Sequence, residues 1–451
     1  MSERLSDVAL RLGVRLSGED SPVGDVVTDT RKLLPGDLLV ALVGERFDAH
    51  AFLAQARASG AAGAIVSRPI DDPLPQIVVP DTRLALGQLA HSHRLAWEGE
   101  LIAVTGNSGK TTVKELTAAI VSRRAPTLAT HGNLNNDIGA PLTLLRLEPA
   151  HRYAVVELGA NHLGEIAWTT ALARPAIAVI TNVTDAHVGE FGGTGQIAQA
   201  KGEILAGLRE TGAAVLDRQQ PFFPLWRSLA GRARVVDFAI EAEASVAAHD
   251  LVCDAAGRYA FTLSITGEAP RRVSLGLLGR HNVRNALAAA GACHAAGLSA
   301  TEIAAGLEAT AAMPGRMQVI EGIRESRLID DSYNANPGAM RVALETLATL
   351  PAPRWCFLGA MGELGEASER YHHEIGRLAR ELGIDVLGTY GDAARAAAAA
   401  FGDEGHHFDD WAALSGFAHD RLPPRASVLV KGSRSAGMER LVTALRIDAS
   451  R

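Results

Sequence analysis

Short, nearly uninterrupted apolar runs, each closed by Gly, Pro, Asn or Asp and followed by a helix-forming stretch, recur along this 451-residue chain. Such runs mark strands buried on both faces, and their alternation with helices predicts parallel sheets. In the first part, Leu38-Leu-Val-Ala-Leu-Val43 follows the turn Pro35-Gly36-Asp37, Ala64-Ile-Val66 follows a helical stretch, and Gln76-Ile-Val-Val79 closes the run. Residues 83–99 read as a connecting helix. From 101 to about 313, the runs beginning at Leu101, Tyr153 and Ala176 predict a doubly wound parallel sheet. A Pro-Gly break at Met313-Pro-Gly-Arg316 is a hinge signal, after which Arg327-Leu-Ile-Asp-Asp331, Trp355-Cys-Phe-Leu358 and Val428-Leu-Val430 repeat the alternation. The expected fold class is therefore α/β with three domains: a small N-terminal α/β module (1–82), a central phosphate-loop parallel-sheet domain (83–313) and a C-terminal Rossmann-like α/β domain (314–451).

Composition narrows this without changing it. An apolar fraction of 47% with 21% charged residues is that of an ordinary globular chain. The start, Met1-Ser-Glu-Arg-Leu-Ser-Asp7, has no apolar core, and no segment approaches the roughly 18 apolar residues of a membrane span, so a cytoplasmic protein without a span is expected. Three widely spaced cysteines, Cys253, Cys293 and Cys356, suit neither a disulfide framework nor a zinc site. A net charge of −7 argues against a nucleic-acid surface.

The candidate chemistry begins at Leu101-Ile-Ala-Val-Thr-Gly-Asn-Ser-Gly-Lys-Thr-Thr112, an apolar strand that breaks into a Gly-bracketed loop and opens a helix. Gly106 and Gly109 admit a polyphosphate to the backbone, Lys110 reaches its terminal phosphates, and the Thr111 hydroxyl suits Mg²⁺. The spacing is the short Gly-x-x-Gly-Lys-Thr form, because Val104 stands where a longer loop has its first glycine. Glu157 ends the next strand, where an open α/β sheet binds ligands, and suits Mg²⁺ or a Mg²⁺-bound water. His187 and Lys201 follow it in order, although alone they would be a structural histidine and a solvated lysine. Asn282 and Asn285 open an Ala-rich helix on one face, and neutral amides suit an adenine edge or a ribose. Asp29-Thr30-Arg31 and Gly44-Glu-Arg-Phe-Asp48-Ala-His50 carry the polar groups of the first domain's loops. The glycines of Gly359-Ala-Met-Gly362-Glu-Leu-Gly365 lack the order of a dinucleotide site. Lys431-Gly-Ser-Arg434-Ser435 follows an apolar strand and is expected to open the final helix, a position that favours carboxylates.

Taken in order, Thr105-Gly-Asn-Ser-Gly-Lys-Thr-Thr112, Asn133-Leu-Asn-Asn136-Asp-Ile-Gly-Ala-Pro-Leu-Thr-Leu-Leu145, Glu157-Leu-Gly-Ala-Asn161, Ala200-Lys-Gly-Glu203, Arg280-His-Asn-Val-Arg-Asn285, Pro314-Gly-Arg316 and Asp331-Ser-Tyr-Asn-Ala-Asn-Pro337 resemble the Mur ligase family over essentially the whole chain. The Asn-x-Asn-Asn block, the Asp331 motif and Lys431–Ser435 resemble the branch that adds D-alanyl-D-alanine, while Phe47-Asp-Ala-His50-Ala-Phe52 departs from the family pattern at Ala49 and Ala51. The resemblance implies ATP-dependent amide formation between UDP-N-acetylmuramoyl-tripeptide and D-alanyl-D-alanine through an acyl phosphate. It implies a monomer that needs neither nucleic acid nor membrane. ATP would be held by Gly106, Asn107, Ser108, Gly109, Lys110, Thr111 and Thr112, with Asn282, Asn285, Arg316 and Asp331. One or two Mg²⁺ ions would sit at Thr111, Glu157, His187 and a carbamylated Lys201. Arg316 would reach the γ-phosphate from the hinge when the third domain closes. Asp29, Thr30, Arg31, Asn136, Asn161, Asn334, Asn336, Lys431 and Arg434 would contact the two substrates.

Overall fold

A computed structural model of the chain describes residues 3–44, 47–183 and 193–447, so His187 lies outside the described residues. The first sheet holds β1 (Leu16–Ser17), β2 (Val26–Val27), β3 (Leu38–Val40), β4 (Gly63–Val66) and β5 (Gln76–Val78) in the order β1-β5-β4-β3-β2. Its strands are parallel except β1, which runs antiparallel to β5 at the edge.

Helix Thr82–Ala96 links this module to the next, and Asp81 caps its start by accepting from the amides of Arg83 and Leu84. Ala85, Leu86 and Leu89 pack into the first module's core, whereas Ala90 joins a core of the central domain. Near its end Arg94 is buried and donates to the carbonyls of Ala173 and Trp97. One amphipathic helix thus supplies side chains to two cores, which ties the modules together more firmly than a loop would.

The central sheet contains β6 (Glu100–Thr105), β7 (Thr127–Ala129), β8 (Tyr153–Glu157), β9 (Ile177–Ile180), β10 (Ala213–Asp217), β11 (Arg234–Ile240), β12 (Val246–Cys253), β13 (Arg258–Ile265) and β14 (Arg271–Leu278). Among the described residues its order is β14-β13-β12-β11-β10-β9-β6-β8-β7. Alternate residues of β6 fill opposite layers: Ile102 and Val104 belong to one core, Leu101 and Ala103 to the other. The chain leaves β6 towards β8 and β7 on one side and towards β9 and β10 on the other, so the carboxyl end of β6 is a topological switch point.

The sheet is not parallel throughout, as the sequence reading expected. β12, β13 and β14 pair antiparallel. The cause is visible in β14, where Val273, Leu275 and Leu277 are buried while Ser274 and Gly276 are exposed. An antiparallel edge tolerates one solvated face, so its pattern alternates instead of forming an apolar block.

The third sheet has β15 (Gln318–Gly322), β16 (Ser326–Asp331), β17 (Arg354–Gly359), β18 (Val386–Tyr390), β19 (Gly405–Phe408) and β20 (Ser427–Lys431). Its order is β15-β16-β20-β17-β18-β19, parallel except for the edge pair β15–β16. The register sets Asp331 at the end of β16 beside Lys431 at the end of β20. No helix among the described residues is long and apolar enough to cross a membrane.

Candidate active site

The central and third sheets contribute residues to one open cleft of about 580 Å³. Its floor is the loop between β6 and helix Lys110–Ser122. Gly106 has φ +144°, and a Cβ there would lie 1.9 Å from Thr181 Oγ1; Gly109 has φ +80°, and its Cβ would lie 2.4 Å from Asn285 Oδ1. Conformation and space both demand glycine at these two positions. Asn182 braces the loop by accepting from the Ser108 amide and donating to the Ser108 carbonyl, each at 3.0 Å, and the Thr181 hydroxyl donates to the same carbonyl. Lys110 curls back so that Nζ donates to the carbonyls of Gly106 at 2.9 Å and Asn107 at 3.1 Å. Burial lowers the Lys110 ammonium pKa, and the Glu157 carboxylate opposes that shift.

Glu157 ends β8, paired in register with Val104 of β6. It is only 2% exposed. Asn135 Nδ2 donates to Oε1 at 2.7 Å, whereas Oε2 is buried without a hydrogen-bond partner among the described residues, as is Ser108 Oγ. A buried carboxylate oxygen left unsatisfied is costly, and at a strand end beside a phosphate loop it is free to meet a cation. No group of three His, Cys, Asp or Glu side chains that could hold a metal forms among the described residues. Two protein oxygens, from Glu157 and Thr111, with the remaining positions left to phosphate and water, is a donor set that fits Mg²⁺.

Lys201 lies on helix Thr194–Gly202 and is 2% exposed. Burial, reinforced by the charge of Lys110, pushes its ammonium down to about 7. Nζ lies 3.4 Å from the Ala160 carbonyl. Glu203, two residues on, accepts from the amides of Gly164 and Ala167 and so caps the helix Glu165–Ala173.

The third domain faces this floor. Arg316 Nη2 donates to Thr111 Oγ1 at 3.2 Å across 205 residues of sequence, and its guanidinium lies over the Tyr333 ring at 4.1 Å. The Arg434 guanidinium is 5.9 Å from the same ring and 3.6 Å from the Glu439 carboxylate. Lys431 is buried against Asp331, with Nζ 2.6 Å from Oδ2, and also donates to the Asn334 carbonyl at 2.8 Å. The expectation that Lys431–Ser435 opens the final helix is wrong: a 3₁₀ turn, Arg434–Ala436, intervenes, and the helix runs from Glu439 to Leu445. Gly437 in the left-handed conformation, φ +63°, separates the two.

The structure therefore brings Asn107, Ser108, Lys110, Thr111, Thr112, Glu157, Lys201, Asn282, Asn285, Arg316, Asp331 and Arg434 to one cleft. Asn136, Asn161, Asn334 and Asn336 also line it, but Asn136 and Asn336 have their amide oxygens engaged by backbone N–H groups at helix starts. Asn282 donates to the Leu278 carbonyl and accepts from Asn285, so this pair is pre-oriented. Asp29, Thr30 and Arg31 do not line the cleft; Asp29 caps a 3₁₀ turn and pairs bidentately with the exposed Arg31. Sequence reasoning gave no role to Asn135, Thr181, Asn182, His281, Tyr333 or Glu363. Asn135 was indistinguishable from Asn133 and Asn136 until the fold turned it towards Glu157. His281, half-buried at the helix start with its pKa pushed down to about 4 by desolvation, carried no signal beyond its place in a motif.

Comparison with known proteins bears on the whole chain. Residues 104–293 match the family model of the Mur ligase middle domain, and residues 315–434 that of the Mur ligase glutamate ligase domain. The UDP-N-acetylmuramoyl-tripeptide–D-alanyl-D-alanine ligase of Escherichia coli is 46% identical over 449 residues, 99% of each chain. A crystal structure of MurF from Acinetobacter baumannii superposes with a TM-score of 0.89 at 39% identity, covering 97% of both chains. MurF from Thermotoga maritima, solved in complex with ADP, gives 0.82 at 27% identity, covering 93% of this chain and 96% of that one.

Proposed function

The chain belongs to the Mur ligase family, and from that premise we infer that it joins D-alanyl-D-alanine to UDP-N-acetylmuramoyl-tripeptide at the expense of ATP, making the pentapeptide precursor of peptidoglycan. The likeness extends over all three sheets, not only the ATP-binding one, and this supports the choice of substrates. Residues 1–82 take the UDP-sugar end, 83–313 the ATP, and 314–451 the acceptor dipeptide. The enzyme works in the cytoplasm as a monomer on small molecules, without nucleic acid.

The chemistry follows from the charges. A carboxylate is a weak nucleophile towards an anionic phosphate, so the site must neutralise charge and align the reactants. Lys110 leaves its own loop carbonyls for the β- and γ-phosphates, and the loop amides from Gly106 to Thr112 hold the polyphosphate. Arg316 brings a second cation from the third domain, and its bond to Thr111 is the observation that carries this reading: the third domain already touches the hydroxyl that follows Lys110 on the phosphate loop. The peptide carboxylate attacks the γ-phosphorus, ADP departs, and the dipeptide amine then attacks the acyl phosphate carbon, releasing phosphate as the amide forms.

Mg²⁺ held by Thr111 and Glu157 supplies charge neutralisation for the polyphosphate. A second ion would draw on His187 and on Lys201 carried as a carbamate. A buried amine with a pKa near 7 supports that modification, since the neutral nitrogen adds to CO₂ and gives up a proton, turning a cation into an oxygen ligand. Asn282 and Asn285 serve the adenosine end, and Asp331 lies on the nucleotide side of the cleft. Arg434 anchors the dipeptide carboxylate. Asn136, Asn161, Asn334 and Asn336 line the path of the peptide, and Asp29, Thr30 and Arg31 serve the sugar-nucleotide from the first domain.

Phosphate release measured with a panel of acceptors and UDP-linked peptides tests the assignment. Release is expected only when ATP, a UDP-muramoyl tripeptide and D-alanyl-D-alanine are all present. Equal release with glutamate as acceptor, or with a folate in place of the nucleotide peptide, would overturn it.

A further inference from the structure

The attacking group in this reaction is an amine that exists largely as ammonium at neutral pH, with an ordinary pKa of about 7.7–8.0. An acceptor dipeptide is therefore a zwitterion. It calls for an anionic group near its amine as well as a cationic one near its carboxylate, and the residues placed so far supply only the second.

The loop between β17 and helix Ser368–Glu381 brings a carboxylate to the cleft at Glu363. Glu363 has φ +61°, a backbone conformation that L side chains rarely adopt. The loop residues just before it are held. His372, fully buried, accepts from the Met361 amide through Nε2 at 2.9 Å and donates from Nδ1 to the Ser368 carbonyl at 2.8 Å, which fixes its ring. Burial lowers the imidazole's pKa and favours the neutral ring that this arrangement needs. On the other side the Ser433 amide and hydroxyl both donate to the Ala360 carbonyl, at 3.1 and 2.7 Å. Ser433 precedes Arg434, so the loop bearing the carboxylate is bonded directly to the segment bearing the arginine. The Glu363 charge is also felt at Lys110 on the phosphate loop. Glu363 thus lines the same cleft as the phosphate loop and Arg434.

We propose that Glu363 holds the ammonium group of the acceptor dipeptide and takes its proton as the amide forms. This rests on the ligase reading given above. In the step, the Glu363 carboxylate first takes one proton from the ammonium and frees the nitrogen lone pair, which forms the C–N bond to the acyl carbon; the C–O bond to phosphate breaks with its electron pair going to the phosphate, and the nitrogen's second surplus proton leaves with the phosphate as hydrogen phosphate. The other charged groups lining the cleft are Lys110, Lys201, Arg284, Arg316, Arg434 and the Lys431–Asp331 pair, together with Glu157, Glu165 and Asp137, the last paired with Arg83. The cations offer an ammonium group no partner. A pinned backbone serves the role, because a proton acceptor must stay within hydrogen-bond reach of the amine through the reaction.

Glu363→Gln keeps size and hydrogen bonding but removes the negative charge and the basic oxygen. In full-length enzyme at pH 7, kcat/KM for D-alanyl-D-alanine is expected to fall by roughly 10²–10⁴-fold, the range of a lost general base. KM for ATP should stay within about twofold, and acyl phosphate should still form without acceptor, trapped by borohydride reduction. Because the free amine becomes neutral as pH rises, the deficit should shrink between pH 7 and 9, and Glu363→Asp should recover part of the rate. Wild-type acceptor kinetics in Glu363→Gln, a deficit confined to KM for ATP, or loss of acyl phosphate trapping would each overturn the proposal. Failure of the wild type to use D-alanyl-D-alanine at all would instead overturn the ligase reading beneath it.

Discussion

Two strands end at the cleft and present lysines, yet they do so by different means. At the end of β6 the loop turns straight into helix Lys110–Ser122, with Lys110 as the first helical residue. At the end of β20, Lys431 is the last strand residue, and a 3₁₀ turn and a left-handed glycine precede a helix of seven residues. The first lysine rests on the carbonyls of its own loop, three and four residues away in sequence. The second is neutralised by Asp331, one hundred residues away, brought beside it by strand register. A cation waiting on weak local acceptors is poised for a ligand; a cation buried against a carboxylate is part of the frame. The neighbouring Arg434 pairs at the surface with Glu439, at 3.6 Å, and keeps an exposed side chain.

The strongest way to break this comparison is Lys431→Met. It strands the Asp331 carboxylate in the interior, and removing one partner of a buried pair costs about 3–5 kcal/mol. Denaturant unfolding should show that loss, and Asp331→Asn added to Lys431→Met should recover much of it. Unchanged stability in the single variant would make Lys431 a ligand-facing group instead. Lys110→Ala should do the opposite. A cation aimed at developing charge contributes about 2–4 kcal/mol to the transition state, so turnover should fall by roughly two orders of magnitude or more while the unfolding midpoint stays near that of the wild type. Arg434→Ala comes next: a charged hydrogen bond is worth about 1.5–3 kcal/mol, so KM for D-alanyl-D-alanine should rise roughly 10- to 100-fold, with kcat at saturation much less affected. An unchanged dipeptide KM would move the carboxylate site elsewhere.

The smallest expected effect concerns a further lysine of the cleft, the buried Lys201. Its folded-state pKa near 7 lies well below the usual value, so the neutral amine that reacts with CO₂ grows as pH rises through that point. With bicarbonate limiting, wild-type reactivation should rise up to roughly tenfold between pH 6 and 8. The linkage has the same sign: unmodified, the unfolded chain binds this proton between about pH 7 and 10.5 while the folded chain does not, so stability rises with pH across that window. A mass spectrum of active enzyme showing only the free amine would exclude the carbamate.

Much of the molecule was legible because its signals are local. Gly106 and Gly109 are needed for conformations that no other residue enters cheaply, and the apolar blocks at β6, β8 and β9 announce strands covered on both faces. The alternating β14 is local too, but its period says only that one face is wet. Which neighbour it pairs with, and in which direction, depends on β12 and β13 returning beside it.

What the chain by itself determined was the set of strand ends and turns where ligands can bind, because backbone conformation and burial on both faces are written in neighbouring residues. The partners of the charged side chains were decided only by the tertiary structure. Asp331 with Lys431, Arg316 with Thr111, Asn135 with Glu157 and Ser433 with the loop of Glu363 are each brought together by sheet order and packing. Electrostatic interactions act over a few ångströms of space and not over sequence distance, so whether a lysine awaits a ligand or completes an ion pair exists as a property only once the sheets have formed.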